Sequence, residues 1–498
     1  MRKNLLLKNT IASIVFQITA VLCGFILPRL ILSYFGSEVN GLVSSITQFL
    51  HIIAFLELGI GAVVQSSLYK PLAEKDSVKI SEIVFSANNF FKKLAIILVI
   101  YVVVLILVFP YISDDNFSWM YTATLILAIS ISSFAQYYFG VVDRLLLTAD
   151  QHGYIQFNAQ TVTLILNTIA CVILINMDES IQMVKLTTSI IFLGRPLFLR
   201  LYVNKYYDID RSITYVGEPI KQKWNGVAQH IAAIAMDNIS VIVLTIFATL
   251  IDVSIYSVYC LFIMGIRQLV MISTSGISPL IGNLWAKKEL LKLENVFSWT
   301  EWAIHTGVVF LFGCTSMLIV PFINIYTLGI TDADYIQPLF ATTLVLANAA
   351  RCLRLPYNML ILAAGHYKET QSNYVIATIL NIIFSIVCTH FFGLVGVAMG
   401  SIIALYYQMF WMADYDSKNI IKWNKKHFYK QLLIDIVTVC IATFSTRWIA
   451  LENVNYYSWV LMALKVTAVY LFVILAVNTV FYREKLSLLY KKIGCKVA

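Results

Sequence analysis

Long apolar runs recur along the whole chain, each close to the roughly 20 residues that an α-helix needs to cross a hydrocarbon core about 30 Å thick. The pattern predicts fourteen membrane-spanning helices, near 9–34, 41–66, 88–111, 118–143, 154–176, 182–203, 224–249, 254–283, 298–326, 336–364, 369–390, 394–414, 428–447 and 457–482. The polar stretches between them are short. The longest, near 67–87 and 204–223, run to about 20 residues, which leaves no room for a soluble catalytic domain.

Composition sharpens this picture. Of 498 residues, 59% are hydrophobic and 13% charged, roughly half the charge share of about 25% in soluble domains. The mean hydropathy is +0.79. A soluble enzyme, a disordered scaffold and a small disulfide-stapled domain are excluded. The expected fold class is an all-α polytopic membrane protein. Seven of the eight cysteines lie in apolar runs and none has CxxC spacing, so they read as small buried hydrophobes. The first run, after MRKNLLLKNT, is too long for a cleaved signal and reads as a retained span.

The cations set the orientation. With the N-terminus placed in the cytoplasm, the even-numbered connections with the span ends that adjoin them (Lys92, Lys93, Arg200 and Lys430) and both termini hold 28 of the 36 Lys and Arg, among them Lys70, Lys75, Lys79, Lys287, Lys288 and Lys292, while the odd-numbered side holds one, Arg447 at the outer end of span 13. This is the asymmetry of the positive-inside rule. The net charge of +9 is therefore a topology signal that calls for no nucleic acid, and both termini are expected in the cytoplasm.

An internal repeat runs beneath the spans. LLLTADQHGYIQFNAQTVTLILNTIACVILI (145–175) resembles MLILAAGHYKETQSNYVIATILNIIFSIVCT (359–389), matching His152 with His366 and Asn167 with Asn381 at an offset of 214. EVNGL (38–42) aligns with DVSIY (252–256) at the same offset. The expected organisation is an N-lobe over 1–208, a cytoplasmic loop over 209–223, a C-lobe over 224–414, and an appendix over 415–498 holding spans 13 and 14 and a basic tail. Parallel copies of this kind commonly rock about a central site. The paired His152 and His366 are expected to have a capping role at the ends of spans 5 and 11.

Ionisable residues within spans are costly, at about 2.5–3.5 kcal/mol near the bilayer centre. Arg267, Arg351 and Asp237 fall at span centres, and Arg354 lies one turn beyond Arg351. Glu57, Arg29 and Arg195 lie off-centre. Two readings of the arginines stand: internal pairing, for example of Arg267 with Asp237 or Glu57, or a hydrated cavity that receives an anion. Under the offset, Arg267, Arg351 and Arg354 correspond to Ile53, Tyr137 and Gly140. The charge does not repeat with the fold, which favours the anion, and guanidinium suits a phosphate. Arg29, Arg195 and Lys185 could instead snorkel to a headgroup layer. Asp237, followed by Asn238, is a candidate for Na⁺ or H⁺ coupling, because hard cations prefer such oxygens. No nucleotide phosphate loop, HExxH or GxSxG motif occurs, so neither an ATPase nor such an enzyme is indicated and no cofactor is expected.

The fourteen spans, the 6 + 6 repeat with two trailing helices, the segment LPRLILSYFGSEVNGLVSSITQFL and the LTADQHGY and LAAGHYKE turns resemble the multidrug/oligosaccharidyl-lipid/polysaccharide exporter superfamily, and within it the Wzx-type polysaccharide flippases. That resemblance implies two lobes exposing a cationic cavity alternately to either side of a bacterial cytoplasmic membrane. The cargo would be undecaprenyl-diphosphate-linked oligosaccharide repeat units, flipped outward for capsule, exopolysaccharide or O-antigen assembly. Arg267, Arg351 and Arg354, with Arg29, would hold the diphosphate. Asp237 and Asn381 would serve ion coupling, and Glu57 and Arg195 would add cavity charge. Membrane lipids, a polymerase and export machinery are the implied partners. A drug or metabolite antiporter of the same superfamily and a membrane-embedded polysaccharide polymerase or glycosyltransferase are the competing readings.

Overall fold

The computed structural model describes residues 2–112, 117–211, 227–274, 276–421 and 424–494. Side chains are described for these residues except 2–4, 6, 54–59, 62, 227–230, 233 and 489–494. The side chain of Glu57, the expected loop 209–223 beyond Arg211 and the last residues of the tail lie outside what is described. Regular structure among the described residues is helical throughout, and packing divides the chain into two compact units, Met1–Ile255 and Tyr256–Ala498.

The first unit opens with α1 (Arg2–His51), which turns at Gly36. The φ of 84° there is one that glycine adopts without steric cost. This helix therefore holds span 1 and the start of span 2, which α2 (Ala54–Glu74) completes. Then come α3 (Ser77–Val108), α4 (Trp119–Ala135), α5 (Val141–Ala149), α6 (Gly153–Asn176), α7 (Ile181–Tyr206) and α8 (Val227–Phe247). Helix α9 (Leu250–Thr274) begins in the first unit and runs into the second. The second unit continues with α10 (Ile277–Ala286), α11 (Leu290–Tyr326), α12 (Pro338–Leu353), α13 (Leu355–Ala364), α14 (Tyr367–Phe392) and α15 (Leu394–Asn419). It ends with α16 (Lys425–Thr446), α17 (Tyr456–Phe481) and α18 (Arg483–Gly494).

The helix faces identify the solvent. Helix α3 buries Leu94, Leu98, Val102 and Leu105 while exposing Ile96, Ile100, Val103 and Leu107. A helix that is apolar all round needs a hydrocarbon neighbour on its outer face. Eleven stretches among the described residues are long and apolar enough to cross a membrane. Fourteen spans are consistent with that figure. Leu7–His51 holds span 1 and the start of span 2, whose remainder is α2, span 7 survives as the shorter apolar stretch Ile234–Phe247, and span 10 is broken into α12 and α13.

The repeat is visible in the helix boundaries. Adding 214 to α5, α6 and α7 reproduces α13, α14 and α15 to within two residues at each end. Inside the matched helices, Asn167 Oδ1 accepts from Cys171 Sγ at 3.4 Å, and at the equivalent positions Asn381 Oδ1 accepts from Ser385 Oγ at 3.1 Å. His152 and His366 both occupy N-cap positions, as expected, but neither side chain caps its helix. Their Nδ1 atoms instead meet Asp150 Oδ2 at 3.1 Å and the Tyr415 hydroxyl at 3.0 Å.

Candidate functional site

The same span is interrupted in both units. In the first, a π-helical segment, Gln136–Gly140, separates α4 from α5. Such bulges interrupt the regular hydrogen-bond ladder and often mark functional positions. Gly140 permits the bulge to lie against α7, since a Cβ built on it would stand 2.6 Å from Cβ of Pro196. In the second unit, Arg354 both ends α12 and precedes α13. Pro356 explains that break: it sits in the first turn of α13, where its missing backbone N–H cannot continue the hydrogen-bond ladder of α12. Under the offset of 214, Gly140 and Arg354 are the same position. Interrupted apolar helices at corresponding positions of two halves point to a transporter's binding site.

Beside the π segment the first unit encloses a cavity of about 310 Å³. Its polar wall includes Ser132, Gln136, Arg144, Gln160, Lys185 and Arg195, with no Asp or Glu among the described lining residues. Arg195 stacks its guanidinium 3.7 Å from the Phe192 ring centroid and donates from Nε to the Thr163 hydroxyl. Arg195 and Lys185, off-centre cations of span 6, both stand in this wall. Arg29, half-buried on α1 next to Pro28, is not among the cavity's lining residues.

In the second unit, the α12–α13 break carries Arg351 and Arg354 on either side of the buried Cys352, and Arg267 from α9 lies within electrostatic reach of the same thiol, which places it near the break. Each is half-buried, and Arg354 donates to the side-chain oxygen of the fully buried Gln408 on α15. Leu353, between Cys352 and Arg354, also lines a groove of about 740 Å³. The groove's other walls include Val309, Phe312, Val345, Leu346 and Val439. Two arginines and an apolar groove thus share one stretch of chain.

The ion-coupling candidates are placed differently. Asp237 is exposed on α8, in the first unit, and its neighbour Asn238 turns inward to donate to Ile234 O at 2.9 Å. Asn381 is fully buried between α14 and α15, where its oxygen accepts from Ser385 and, at 3.3 Å, from Ser401. Among the described residues, no group of three or more His, Cys, Asp or Glu is placed to hold a metal.

Sequence reasoning left out two sets of residues. Arg144 sits at the end of a span and reads there as one more loop cation. Glu301, His305 and Asp435, buried together in the second unit, also escaped notice. Glu301 and His305 stand four residues apart, on one helix face, in an otherwise apolar run, and that spacing was the available signal.

No protein-family model and no curated protein sequence matches the chain. Solved structures do. A structure described as lipid II flippase MurJ in an inward closed conformation matches with a TM-score of 0.74 at 15% identity, covering 96% of this chain and 100% of that one. An inward-facing multidrug resistance MATE family transporter of the MOP superfamily matches at 0.60 and 13% identity, covering 82% and 98%. A MOP superfamily transporter from Pyrococcus furiosus, described as having a binding pocket of reverse polarity, matches at 0.62 and 13% identity, covering 83% and 96%. The chain has the fold that these membrane transporters share.

Proposed function

We propose that the protein is a flippase for undecaprenyl-diphosphate-linked oligosaccharide repeat units, moving them from the cytoplasmic to the outer leaflet by alternating access and feeding capsule, exopolysaccharide or O-antigen assembly. The observation that carries this reading is a helix break that carries Arg351 and Arg354, has Arg267 near it and adjoins an apolar groove through Leu353. Three fixed cations suit a diphosphate, which guanidinium binds in bidentate fashion. The groove suits the polyprenyl chain, whose transfer from lipid into another apolar surface costs little. The serines, glutamines and cations around the first unit's cavity suit sugar hydroxyls and anionic sugars.

The likeness to a lipid II flippase over the full length of both chains supports a lipid-linked cargo. A cavity with cations and no described carboxylate argues against an exporter of cationic drugs. The short connections speak against an embedded polymerase or glycosyltransferase. Outward movement of a negative headgroup across an inside-negative membrane is favoured by about 2.3 kcal/mol per charge per 100 mV.

Complementation of a flippase-deficient strain tests the proposal. Expression of this chain is expected to restore surface polysaccharide and clear the lipid-linked oligosaccharide that accumulates inside. Continued accumulation with the chain at normal membrane levels, for every repeat unit tried, would count against it.

A further inference from the structure

Apart from its arginines, the second unit buries a chain of ionisable groups for which the proposed cargo has no use. Glu301 and His305 on α11 are 4% and 0% exposed, and Asp435 on α16 is 6% exposed. His305 Nδ1 lies 2.6 Å from Asp435 Oδ2, and its Nε2 lies 3.4 Å from the Tyr357 hydroxyl, which donates to Glu301 Oε1 at 2.7 Å. Gln431 Nε2 donates to the other Asp435 oxygen at 2.9 Å, and the Tyr482 hydroxyl donates to Gln431 Oε1 at 2.6 Å. One hydrogen-bonded line thus runs from Glu301 to Tyr482 through three helices, α11, α13 and α16, and the end of α17.

The hydrogens on this line can be counted. Tyr357 has one, and the shorter contact assigns it to Glu301, so the longer 3.4 Å contact with His305 is satisfied with an N–H on Nε2. His305 Nδ1 faces a carboxylate and carries the other. With imidazolium and two carboxylates the cluster bears one net negative charge, and one further proton on a carboxyl makes it neutral. Net charge in a buried site is costly in either sign, so the arrangement admits one exchangeable proton.

The surrounding elements fit that exchange. The titratable neighbours are Tyr406 and Asp416 on α15, His427 on α16, Tyr482, and Lys485 on α18, whose charge reaches Glu301. Lys485 can offset the cluster's charge when the proton leaves. Two cavities of about 10 Å³ each, the space of one water, flank the line: one walled by Tyr357, Asp416 and Lys425, the other by Asp435, Gln431 and Tyr482. Asp416 is 2% exposed, and neither of its carboxylate oxygens has a hydrogen-bond partner among the described residues. At the other end Asp435 also walls the apolar groove.

We propose that Glu301, His305 and Asp435 form a proton-binding site, fed past Asp416 and Tyr357, that takes up and releases one H⁺ in each transport cycle. The proton arrives from water, forms an O–H bond on Glu301 or Asp435, and returns to water when that bond breaks; no electron is transferred. The binding site stands whatever the cargo, and only its coupling to export rests on the function proposed above.

Infrared difference spectroscopy on the purified full-length protein, in phosphatidylethanolamine–phosphatidylglycerol vesicles stepped between pH 5 and pH 9, tests the site without any cargo. The unmodified protein is expected to show a carboxylic-acid C=O band that shifts in D₂O. Glu301→Gln and Asp435→Asn should each remove at least half of its area, while Glu452→Gln, at an exposed position, should leave it intact. A band of unchanged area in both cluster variants would overturn the proposal. So would the absence of any such band from the unmodified protein, a result independent of whether the variants fold. Failed complementation beside an intact, cluster-dependent band would reject the cargo and leave the proton site standing.

Discussion

The two interrupted spans show what the duplication kept and what it changed. In the first unit the break is a π segment whose Gln136 faces a polar cavity; in the second, the equivalent stretch is a proline-enforced break carrying Arg351 and Arg354. The scaffold around each break is shared down to single hydrogen bonds, with Asn167 and Cys171 repeated as Asn381 and Ser385. The charge is not shared. The first unit arranges cations around open space, while the second gathers arginines at its break and buries acids a helix away. Backbone discontinuity is the inherited feature, and ionisable groups are the part free to specialise.

The largest effect should come from a place where the units differ in packing. Gly400 on α15 lies so close to α14 that an added Cβ would meet the Ser385 backbone nitrogen at 2.3 Å; the equivalent residue on α7 is the half-buried Leu186. Gly400→Ala is expected to cost about 3 kcal/mol, near the upper end for overpacking, and to lower the thermal unfolding temperature and the yield of monodisperse protein. Leu186→Ala should cost about 1 kcal/mol, since a partly exposed side chain loses only part of its burial term. Equal losses at the two sites would show that the packing difference carries no energetic weight.

Next in size are the charges at the breaks. A hydrogen bond to a charged group contributes about 1.5–3 kcal/mol, so Arg351→Gln and Arg354→Gln should each reduce export tenfold or more at normal membrane levels. Gln136→Ala, at the matching break, should reduce it only a few-fold. Lys185→Gln and Arg195→Gln in the first unit should fall between the two, because a cavity with several cations can redistribute its contacts. Export assayed as surface polysaccharide per cell decides the order. A larger loss in the first unit would transfer the headgroup site to that cavity.

These contrasts also mark how far the chain could be read from its residues. The spans were legible because a bilayer imposes length and apolarity on each helix, and the repeat was legible because Asn167 and Asn381 serve one packing geometry twice. The helix breaks were not. Gln136–Gly140 is apolar enough to pass as continuous helix, and at Pro356 the polar residues around it, Arg351, Arg354 and Asn358, read as polar positions within one span and not as a break. Glu301, His305 and Asp435 were hidden for another reason: they come from separate runs about 130 residues apart, and a charge near the end of a span looks like interfacial decoration until its partner on another helix is seen. Lys185 and Arg195 posed the same ambiguity, since snorkelling and cavity lining share one sequence signature.

The smallest effect concerns the cations at the edge of each unit. Arg211 in the first donates to buried Asp143 at 2.8 Å, a charge met by a charge. Lys485 in the second has no such carboxylate in contact among the described residues. It donates to Ser298 O and Oγ at 2.7 and 2.9 Å and stands 5.5–5.9 Å from the ring centroids of Trp299, Trp302 and Tyr482. Burial among those rings pushes its pKa from 10.5 down to about 8, against the opposing pull of Glu301. The unfolded chain therefore binds more protons than the folded one between about pH 8 and 10.5, and stability rises with pH where that is so. This lysine thus opposes folding below pH 8 and ceases to do so above 10.5. Half-exposure screens the effect and keeps it modest. Thermal unfolding of the detergent-solubilised full chain, compared with Lys485→Met from pH 7 to 11, isolates it from the other lysines and tyrosines. The expected difference is an upward slope in the unmodified protein between pH 8 and 10.5 that the variant lacks. Parallel curves would mean that the aromatic cage holds the ammonium as well as water does, and that the two units treat their edge cations alike.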